Sequence, residues 1–367
     1  MNKKTKYIIL IFVILILAGV ATHIIMSQNA VDSSGNKTVT DMLDRSVRIP
    51  STVDSVIATS PTMTTVIYMI APEKLKGVNF KWEEDELKFV PKEYQNYPVV
   101  GGWYGTNDGN YEEFIAQKPD LIIESSAEGD KDLSTVQERQ EKFGSIPVLA
   151  VTDSSDLDKM GESILFIGEV LGSKEKAQEL VDFNDKYVKE VESKSSKLSD
   201  KDKKTVYYAE GDDGLKTNPS SSSHAELIKR VGGKNVADSL GEGNNTMGVQ
   251  VSVEQVIRWD PEVIITTSPE FYHSVYNNSN WASIKAVKNH QVYLSPQSPF
   301  KWFDRPIAAN RIIGLPWTAK VIYPEEYKDI DMVKTTQEFY SKFYHVELSD
   351  DEARQILLDS GLKESNF

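Results

Sequence analysis

The order of apolar and polar positions predicts short strands that alternate with helices. Residues 56–58 are a brief apolar run, and the hydroxyl-rich segment 59–65 that follows predicts a helix start capped by Ser60 or Thr62. Further strands are predicted at 75–80, 121–123 and 146–151. Alternation of this kind is typical of a parallel sheet covered by helices, and the alternating residues at 39–50 predict a β-hairpin in front of it.

The pattern changes in the middle of the chain, where residues 157–198 are predicted to be almost entirely helical. One apolar face there is spaced by three and four residues, at Leu157, Met160, Ile164, Ile167 and Leu171. Gly172 is predicted to end this first helix. The β-α pattern then returns, with strands predicted at 205–210 and 289–296, a helix at 224–233, and a helical C-terminal part from Pro306 onwards.

Two segments of similar layout indicate a weak internal repeat. Residues 110–126 and 252–268 each have a Glu near the start of a helix, a Pro at the same step, and then a β-rich run that ends in small polar residues. Two such units predict two similar α/β lobes joined by a long helix. Ligands bind where the carboxyl ends of strands meet, so we expect a ligand cleft between the lobes.

The first thirty residues read as an export signal. Residues 7–26 are apolar for about the length that spans a bilayer, and Lys3, Lys4 and Lys6 precede them. The length favours an uncleaved membrane anchor over a cleaved signal peptide, and either one places the rest of the chain outside the cytoplasm. The predicted division is: anchor or signal 1–30, polar tether 31–38, N-terminal lobe 39–155, connecting helical segment 156–200 and C-terminal lobe 201–367.

Composition narrows the function classes. The chain has no cysteine, which removes disulfides, thiolate metal sites, a cysteine nucleophile and a cysteine-linked lipid anchor from consideration. The formal net charge of −14 disfavours nucleic-acid binding and contact with anionic lipid beyond the N-terminal helix, and favours a soluble, monomeric exported body. No nucleophile elbow, HExxH zinc motif or phosphate loop is present, so catalysis has little support and no cofactor is expected.

The chain resembles the periplasmic-binding-protein family for iron–siderophores, haem and vitamin B12, in which one rigid helix joins two lobes. The resemblance covers roughly residues 39–350 and is carried by these segments: VTDMLDRSVRIP, NYEEFIAQKPDLII, GESILFIGEVLGSKEKAQELV, HAELIKRVGG, SVEQVIRWDPEVII and residues 298–325. It implies a partner ABC permease with its ATPase. It also implies that Glu112 and Glu254, one on each lobe, meet arginines of that permease; the plainer interpretation is that each stabilises its helix start.

Loops after strands supply the candidate ligand contacts. The predicted set is Ser60, Thr62, Trp103, Tyr104, Asn218, Trp302 and Arg305. Hydroxyls at a helix start suit an anion, aromatic faces suit a flat chelate, and an arginine fork suits a carboxylate or oxyanion. The two tryptophans equally suit lobe packing, and Arg305 can instead pair with Asp304 or Glu326.

Three functions remain open at this point. The leading one is an ABC-importer receptor for a ligand that contains a metal, such as an iron–siderophore, haem or a corrinoid. The second is a receptor for a bare oxyanion such as molybdate or tungstate. The third, from another class, is an extracellular chelatase-like enzyme, which would need an ionisable pair facing the cleft.

Overall fold

The computed structural model describes residues 31–126, 130–152, 155–241 and 248–367. The predicted N-terminal anchor lies outside these residues. Within the described part, no helix has both the length and the apolar character needed to cross a bilayer.

The first lobe is built on a three-stranded parallel sheet of order β3-β4-β5. Its strands, with the antiparallel hairpin β1-β2 that precedes them, are β1 Asn36–Thr40, β2 Ser46–Pro50, β3 Val56–Ala58, β4 Leu121–Ser125 and β5 Val148–Val151. Its helices are α1 Pro61–Ile70, α2 Tyr111–Ala116 and α3 Asp130–Phe143. All three central strands are almost wholly buried, as their continuous apolar runs require.

Two helices, α4 Met160–Leu171 and α5 Lys174–Ser195, connect the lobes. Gly172 ends α4 in the left-handed conformation, with φ of 73°, as predicted. The two helices approach closely, since a Cβ on Gly168 would lie 2.3 Å from the Cβ of Ala177. The 22 residues of α5 make a rod of about 33 Å, long enough to reach from one lobe to the other.

The second lobe holds a four-stranded parallel sheet of order β11-β10-β6-β8, with a small antiparallel pair β7-β9 beside it. The strands are β6 Thr205–Ala209, β7 Lys216–Thr217, β8 Lys234–Asn235, β9 Val249–Gln250, β10 Val263–Thr266 and β11 Val292–Leu294. The helices are α6 Glu226–Arg230, α7 Val253–Trp259, α8 Pro269–Ser274 and α9 Lys285–Lys288.

The C-terminal part is helical and packs against both lobes. It consists of α10 Arg311–Ile322, α11 Met332–Phe339, a π-helical turn Tyr340–Tyr344 and α12 Asp350–Asp359. In front of α10, Phe300 reaches the first lobe, where its ring lies 5.5 Å from the rings of both Tyr68 and Trp82. One apolar core therefore runs through both lobes, and a smaller core lies on the outer side of each sheet.

The structure confirms the α/β fold of two parallel-sheet lobes, and it differs from the predicted elements in four places. Residues 75–80 form isolated bridges at Leu75 and Val78 instead of a strand. Strand β1 starts at Asn36, so the last residues assigned to the tether belong to the hairpin. The helix predicted over 224–233 shortens to α6, and α3 was not predicted because few apolar residues mark its face. The other domain limits stay predictions.

Candidate functional site

The carboxyl ends of both sheets come together around one buried cation. Arg311 opens α10 with no exposed surface, and its Nη2 donates to the carbonyl of Ser155, 2.7 Å away, in the segment that follows β5. The same guanidinium donates to the carbonyl of Ser223 and to Glu226 in the second lobe. Loops that follow strands of the first and second sheets therefore meet here, which is where a ligand cleft is expected.

On the first-lobe side, β3 runs directly into α1 through Thr59 and Ser60. Ser60 occupies the capping position but makes no capping bond, and its buried Oγ has no hydrogen-bond partner among the described residues. Thr62 is half-buried in the first turn. Amide groups of a first turn lack acceptors inside the helix and attract anions. A free hydroxyl at this helix end is therefore equipped to bind an anionic group.

The glycine-rich loop 101–109 is pinned beside that helix end. The amide of Trp103 donates to the carbonyl of Thr59 over 2.9 Å. Gly102, at φ of 155°, permits this approach, because a Cβ there would lie 2.2 Å from the Thr59 oxygen. The Tyr104 hydroxyl donates to the carbonyl of Asn79 over 3.1 Å, and burial raises the pKa of this tyrosine. Tyr104 thus lies half-buried at the base of the loop.

The Trp103 ring is packed on its neighbours. The guanidinium of Arg139 lies 3.9 Å from its ring centroid, and the Tyr111 ring lies 4.6 Å away on another side. Arg139 also pairs with the buried Glu124 at 2.7 Å. Burial raises the pKa of Glu124, and the charge of Arg139 partly offsets that rise. These contacts favour the packing role for Trp103 over ligand stacking.

On the second-lobe side, Arg305 pairs with Glu210, the residue directly after β6. Its Nε donates to Glu210 Oε1 over 2.7 Å, and its Nη2 lies 2.6 Å from the same oxygen. The arginine side chain is 41% exposed, whereas that of Glu210 is only 6% exposed. The fully buried Asn218 donates its amide to the other oxygen of Glu210. Arg305 therefore presents a half-exposed cation at the carboxyl edge of the second sheet.

A second buried carboxylate, Asp304, lies directly behind this pair. His224 Nδ1 lies 2.8 Å and 2.9 Å from its two oxygens, and the Tyr208 hydroxyl donates to it over 2.8 Å. Arg305 Nε is 3.8 Å from the same carboxylate. Burial, together with the charges of Asp304 and Glu210, raises the pKa of Tyr208, which keeps its hydroxyl a donor.

Trp302 has no exposed surface and packs in the main core, with its ring 6.2 Å from that of Tyr340. Gly314 of α10 makes this possible, since a Cβ there would lie 1.9 Å from the Trp302 carbonyl oxygen. The structure thus brings Arg305 and Asn218 together around Glu210, and Ser60 and Thr62 together at α1. In this conformation Trp302, Asn218 and the Oγ of Ser60 are all buried, so a ligand reaches them only with movement of the surrounding loops.

Three residues of this site carry chemistry that the sequence interpretation did not single out: Glu210, His224 and Asp304. Glu210 and His224 lie in loop 210–224, and Asp304 was considered only as a partner for Arg305. A signal for Glu210 was available, because an acidic residue directly after a buried strand is placed at the ligand edge of a parallel sheet. Among the described residues, no group of three or more metal-ligating side chains is placed to hold a metal ion.

The two predicted docking glutamates lie at matched positions on the outside of the lobes. Glu112 in the first turn of α2 and Glu254 in the first turn of α7 are both exposed. One turn later each helix exposes an isoleucine, Ile115 at 39% and Ile257 at 38%. Hydrogen bonds from its own backbone amide and from the Ser252 side chain lower the pKa of Glu254. The two segments of the sequence repeat therefore also expose equivalent residues, a glutamate and an isoleucine on each helix.

Comparison with known proteins agrees with this architecture. Residues 56–299 match the family model described as "Periplasmic binding protein". The molybdate-binding protein MolA of Haemophilus influenzae is 27% identical, covering 90% of this chain and 97% of MolA. The vitamin B12-binding protein of Vibrio parahaemolyticus is 26% identical, covering 69% of this chain and 84% of its own length. The structure of an ABC transporter solute binding protein from Sulfurospirillum deleyianum superposes with a TM-score of 0.79 at 33% identity, covering 88% of this chain and 99% of that one.

The family match spans well over half of the chain, and the two-lobed fold agrees with it. The chain belongs to the periplasmic binding protein family and is the extracytoplasmic, non-enzymatic substrate-binding component of an ABC transporter, which delivers its ligand to a permease.

Proposed function

We propose that the ligand is a small oxyanion of the molybdate type, bound between the α1 end of the first lobe and Arg305 of the second. The observation that carries this proposal is the half-exposed guanidinium of Arg305 at the carboxyl edge of its sheet. In a protein of net charge −14, an anion needs a local cation to overcome long-range repulsion. The unpartnered Ser60 hydroxyl and the first turn of α1 supply neutral donors from the other lobe.

A metal complex is the second candidate. Relatives named for vitamin B12 and for ferric citrate are 26% and 25% identical to this chain, and a citrate chelate brings carboxylates that suit the same arginine. The aromatic residues that favoured a flat chelate in the sequence are occupied otherwise, since Trp103 packs on Arg139 and Trp302 is buried. The available groups are donors and a cation, and these favour the oxyanion.

Calorimetric titration of the full chain in detergent tests this choice. The ligands to compare are molybdate, tungstate and sulfate on one side, and ferric citrate, haem and cobalamin on the other. We expect molybdate or tungstate to bind most tightly. Arg305→Ala is expected to weaken that binding by roughly 2 kcal/mol, the low end of the cost for a buried charge partner, because the arginine is 41% exposed.

The matched control is Arg258→Ala, which removes the same charge from the exposed face of α7. Because both variants change the net charge equally, only the local position of Arg305 can separate them. Equal affinities for wild type, Arg305→Ala and Arg258→Ala contradict the proposed site. Tight binding of haem or cobalamin with no response to any oxyanion contradicts the proposed ligand class.

We also propose that Glu112 and Glu254 meet cationic groups of the permease, each with its neighbouring isoleucine as an apolar contact. Matched exposure of the Glu and Ile pairs on α2 and α7 supports this. Glu112→Ala and Glu254→Ala are expected to leave ligand affinity unchanged and to reduce uptake in vesicles that contain the transporter. Glu113→Ala, an exposed neighbour on α2, is the control, and equal loss of uptake in all three contradicts specific docking.

The membrane attachment is proposed to be residues 1–30 kept as an uncleaved helix, on the evidence of its apolar length. Mass determination of the mature protein from membranes tests this proposal. A mature N-terminus after residue 26 contradicts the anchor and leaves export intact.

A further inference from the structure

The two side chains of the Arg305–Glu210 ion pair differ in how far they are exposed and so in how freely they can move. Two nitrogens of the guanidinium, Nε and Nη2, lie 2.7 Å and 2.6 Å from one oxygen, Glu210 Oε1. The arginine is 41% exposed and the glutamate 6%. The cation can therefore turn towards a ligand in the cleft, whereas the carboxylate stays buried. Among the described residues, Nη1 of Arg305 makes no hydrogen bond.

Among the described residues, no cation other than Arg305 contacts the Glu210 carboxylate. Asn218 donates an amide hydrogen to its second oxygen, which is a neutral contact. Asp304 has no exposed surface and adds a second negative charge close by. His224 contacts Asp304 rather than Glu210, and the Tyr208 hydroxyl also points to Asp304. Lys216 pairs with Glu210 through the backbone only, and its side chain is exposed, as are those of Asp212 and Asp213 in the turn between them.

The pKa of Glu210 rises when Arg305 is engaged elsewhere, because the buried carboxylate then loses the cation that it contacts. Burial raises the pKa of Glu210, and the charge of Arg305 is the largest influence that lowers it again. The charge of Asp304 also raises the pKa of Glu210, whereas His224 lowers it, as Arg305 does. A bound dianion both draws Arg305 away and adds negative charge, so both effects raise the pKa of Glu210 further.

We propose that Glu210 holds Arg305 in place in the unliganded protein and takes up one proton from solvent when an oxyanion draws the guanidinium into the cleft. Glu210 is thus a positioning residue that acts through Arg305 and does not contact the ligand. The inference rests on the proposed oxyanion function. It makes ligand capture a proton-coupled exchange of partners at Arg305.

The sign of the coupling follows from linkage. The carboxyl binds a proton more readily in the complex than in the free protein, so the complex holds more protons. Affinity must then fall as pH rises between the two pKa values of Glu210, by at most about tenfold per pH unit for one proton. Asp304 has contacts of its own, from His224 and from the Tyr208 hydroxyl, that do not depend on Arg305.

Calorimetry measures the proton directly. The full chain in detergent is titrated with sodium molybdate at pH 7 in two buffers of different ionisation enthalpy, such as Tris and HEPES. The difference in observed heat gives the number of protons exchanged. We expect net uptake by wild type and an affinity that falls from pH 6 to pH 8.

Glu210→Gln is expected to abolish the uptake and flatten the pH dependence. It should also raise the affinity at pH 7 by about three- to tenfold, since a neutral amide competes less for the arginine. Glu262→Gln is the matched control, because Glu262 also pairs with a cation, Lys285 at 2.9 Å, but lies before β10 at the opposite end of the sheet. That variant should keep the uptake of wild type.

Each outcome decides the matter. Binding of molybdate by wild type without proton uptake overturns the inference and leaves the oxyanion function standing. Uptake that persists in Glu210→Gln assigns the proton to another group and also overturns the inference. Absence of binding for molybdate, tungstate and sulfate refutes the proposed function, and the inference with it. The wild-type measurement alone is decisive if a variant fails to fold.

Discussion

Replacing Arg311 with methionine tests whether one buried cation holds the two lobes together at their carboxyl edges. Arg311 is fully buried and donates to the carbonyls of Ser155 and Ser223 and to the carboxylate of Glu226, the first two lying in different lobes. The position is costly for a cation, because it lies at the first turn of α10 where the helix dipole is positive. The hydrogen bonds and the ion pair of Arg311 must therefore stabilise the fold by more than the cost of burying its charge near the positive end of the helix dipole.

The size of the effect follows from what the substitution leaves behind. Breaking a buried pair by removing one partner costs about 3–5 kcal/mol. Glu226 keeps a second cation, Arg230 Nε, and both carbonyls belong to segments that are not fully buried, so the lower part of that range applies. We therefore expect Arg311→Met to lose about 3 kcal/mol of unfolding free energy. Arg311→Lys should recover only part of it, because an ammonium cannot reach three divergent acceptors at once.

Urea unfolding followed by tryptophan fluorescence measures this loss. With a denaturant dependence of about 3 kcal/mol per molar, the expected midpoint shift is about 1 M. Arg258→Met, which removes an exposed arginine from α7, is the control and should shift the midpoint little. An Arg311→Met midpoint equal to that of the control would refute the assignment of Arg311 as the tie between the lobes.

Three further outcomes are expected. Gly314→Ala should lower the free energy of unfolding by at least about 3 kcal/mol, because its Cβ would lie 1.9 Å from the Trp302 carbonyl oxygen. Gly161→Ala, whose nearest contact is an ordinary 3.4 Å, is the control and should be neutral or stabilising. Equal thermal midpoints of the two variants would count against the packing described for α10. His345 has its pKa lowered by burial, so the unfolded chain binds its proton more readily and stability should fall below about pH 6.5, by at most about 1.4 kcal/mol per pH unit. The measurement is the thermal midpoint as a function of pH. His345→Asn should flatten its acid dependence, whereas His273→Asn, at an exposed position, should leave it unchanged. An unchanged dependence in both variants would contradict the role given to His345. X-ray scattering with and without ligand should show only a small closure of the lobes, because the connecting and C-terminal helices pack on both, and a wide closure would contradict that rigidity.

The sequence was sufficient to predict the architecture because local periodicity and the repeat carry it. Short apolar runs specified the buried parallel strands, and Gly172 marked the end of the first connecting helix. The matched segments 110–126 and 252–268 predicted two equivalent lobes. Their agreement extends to backbone detail, since Lys118 and Asp260, which each precede the proline of their segment, both take the left-handed conformation.

Local pattern was insufficient where an element or a side chain depends on distant neighbours. The strand predicted at 75–80 does not form, because Leu75 makes a single bridge to Val56 of β3 and Val78 a single bridge to Val99. Helix α3 was not predicted because polar residues dominate its sequence. Trp302 was assigned to the cleft by its loop, yet the absence of a side chain on Gly314 lets α10 cover it completely.

Periodicity and the internal repeat were enough to predict the two-lobed α/β fold, the exposed glutamates and an arginine in a loop after the last strand. The partners of that arginine depend on how the chain folds. Arg305 meets Glu210 across 95 residues, and His224 meets Asp304 across 80. Charges so far apart in sequence leave no periodic signal, and their partnership exists because parallel strands place all of their carboxyl ends, whatever their order in the chain, at one edge.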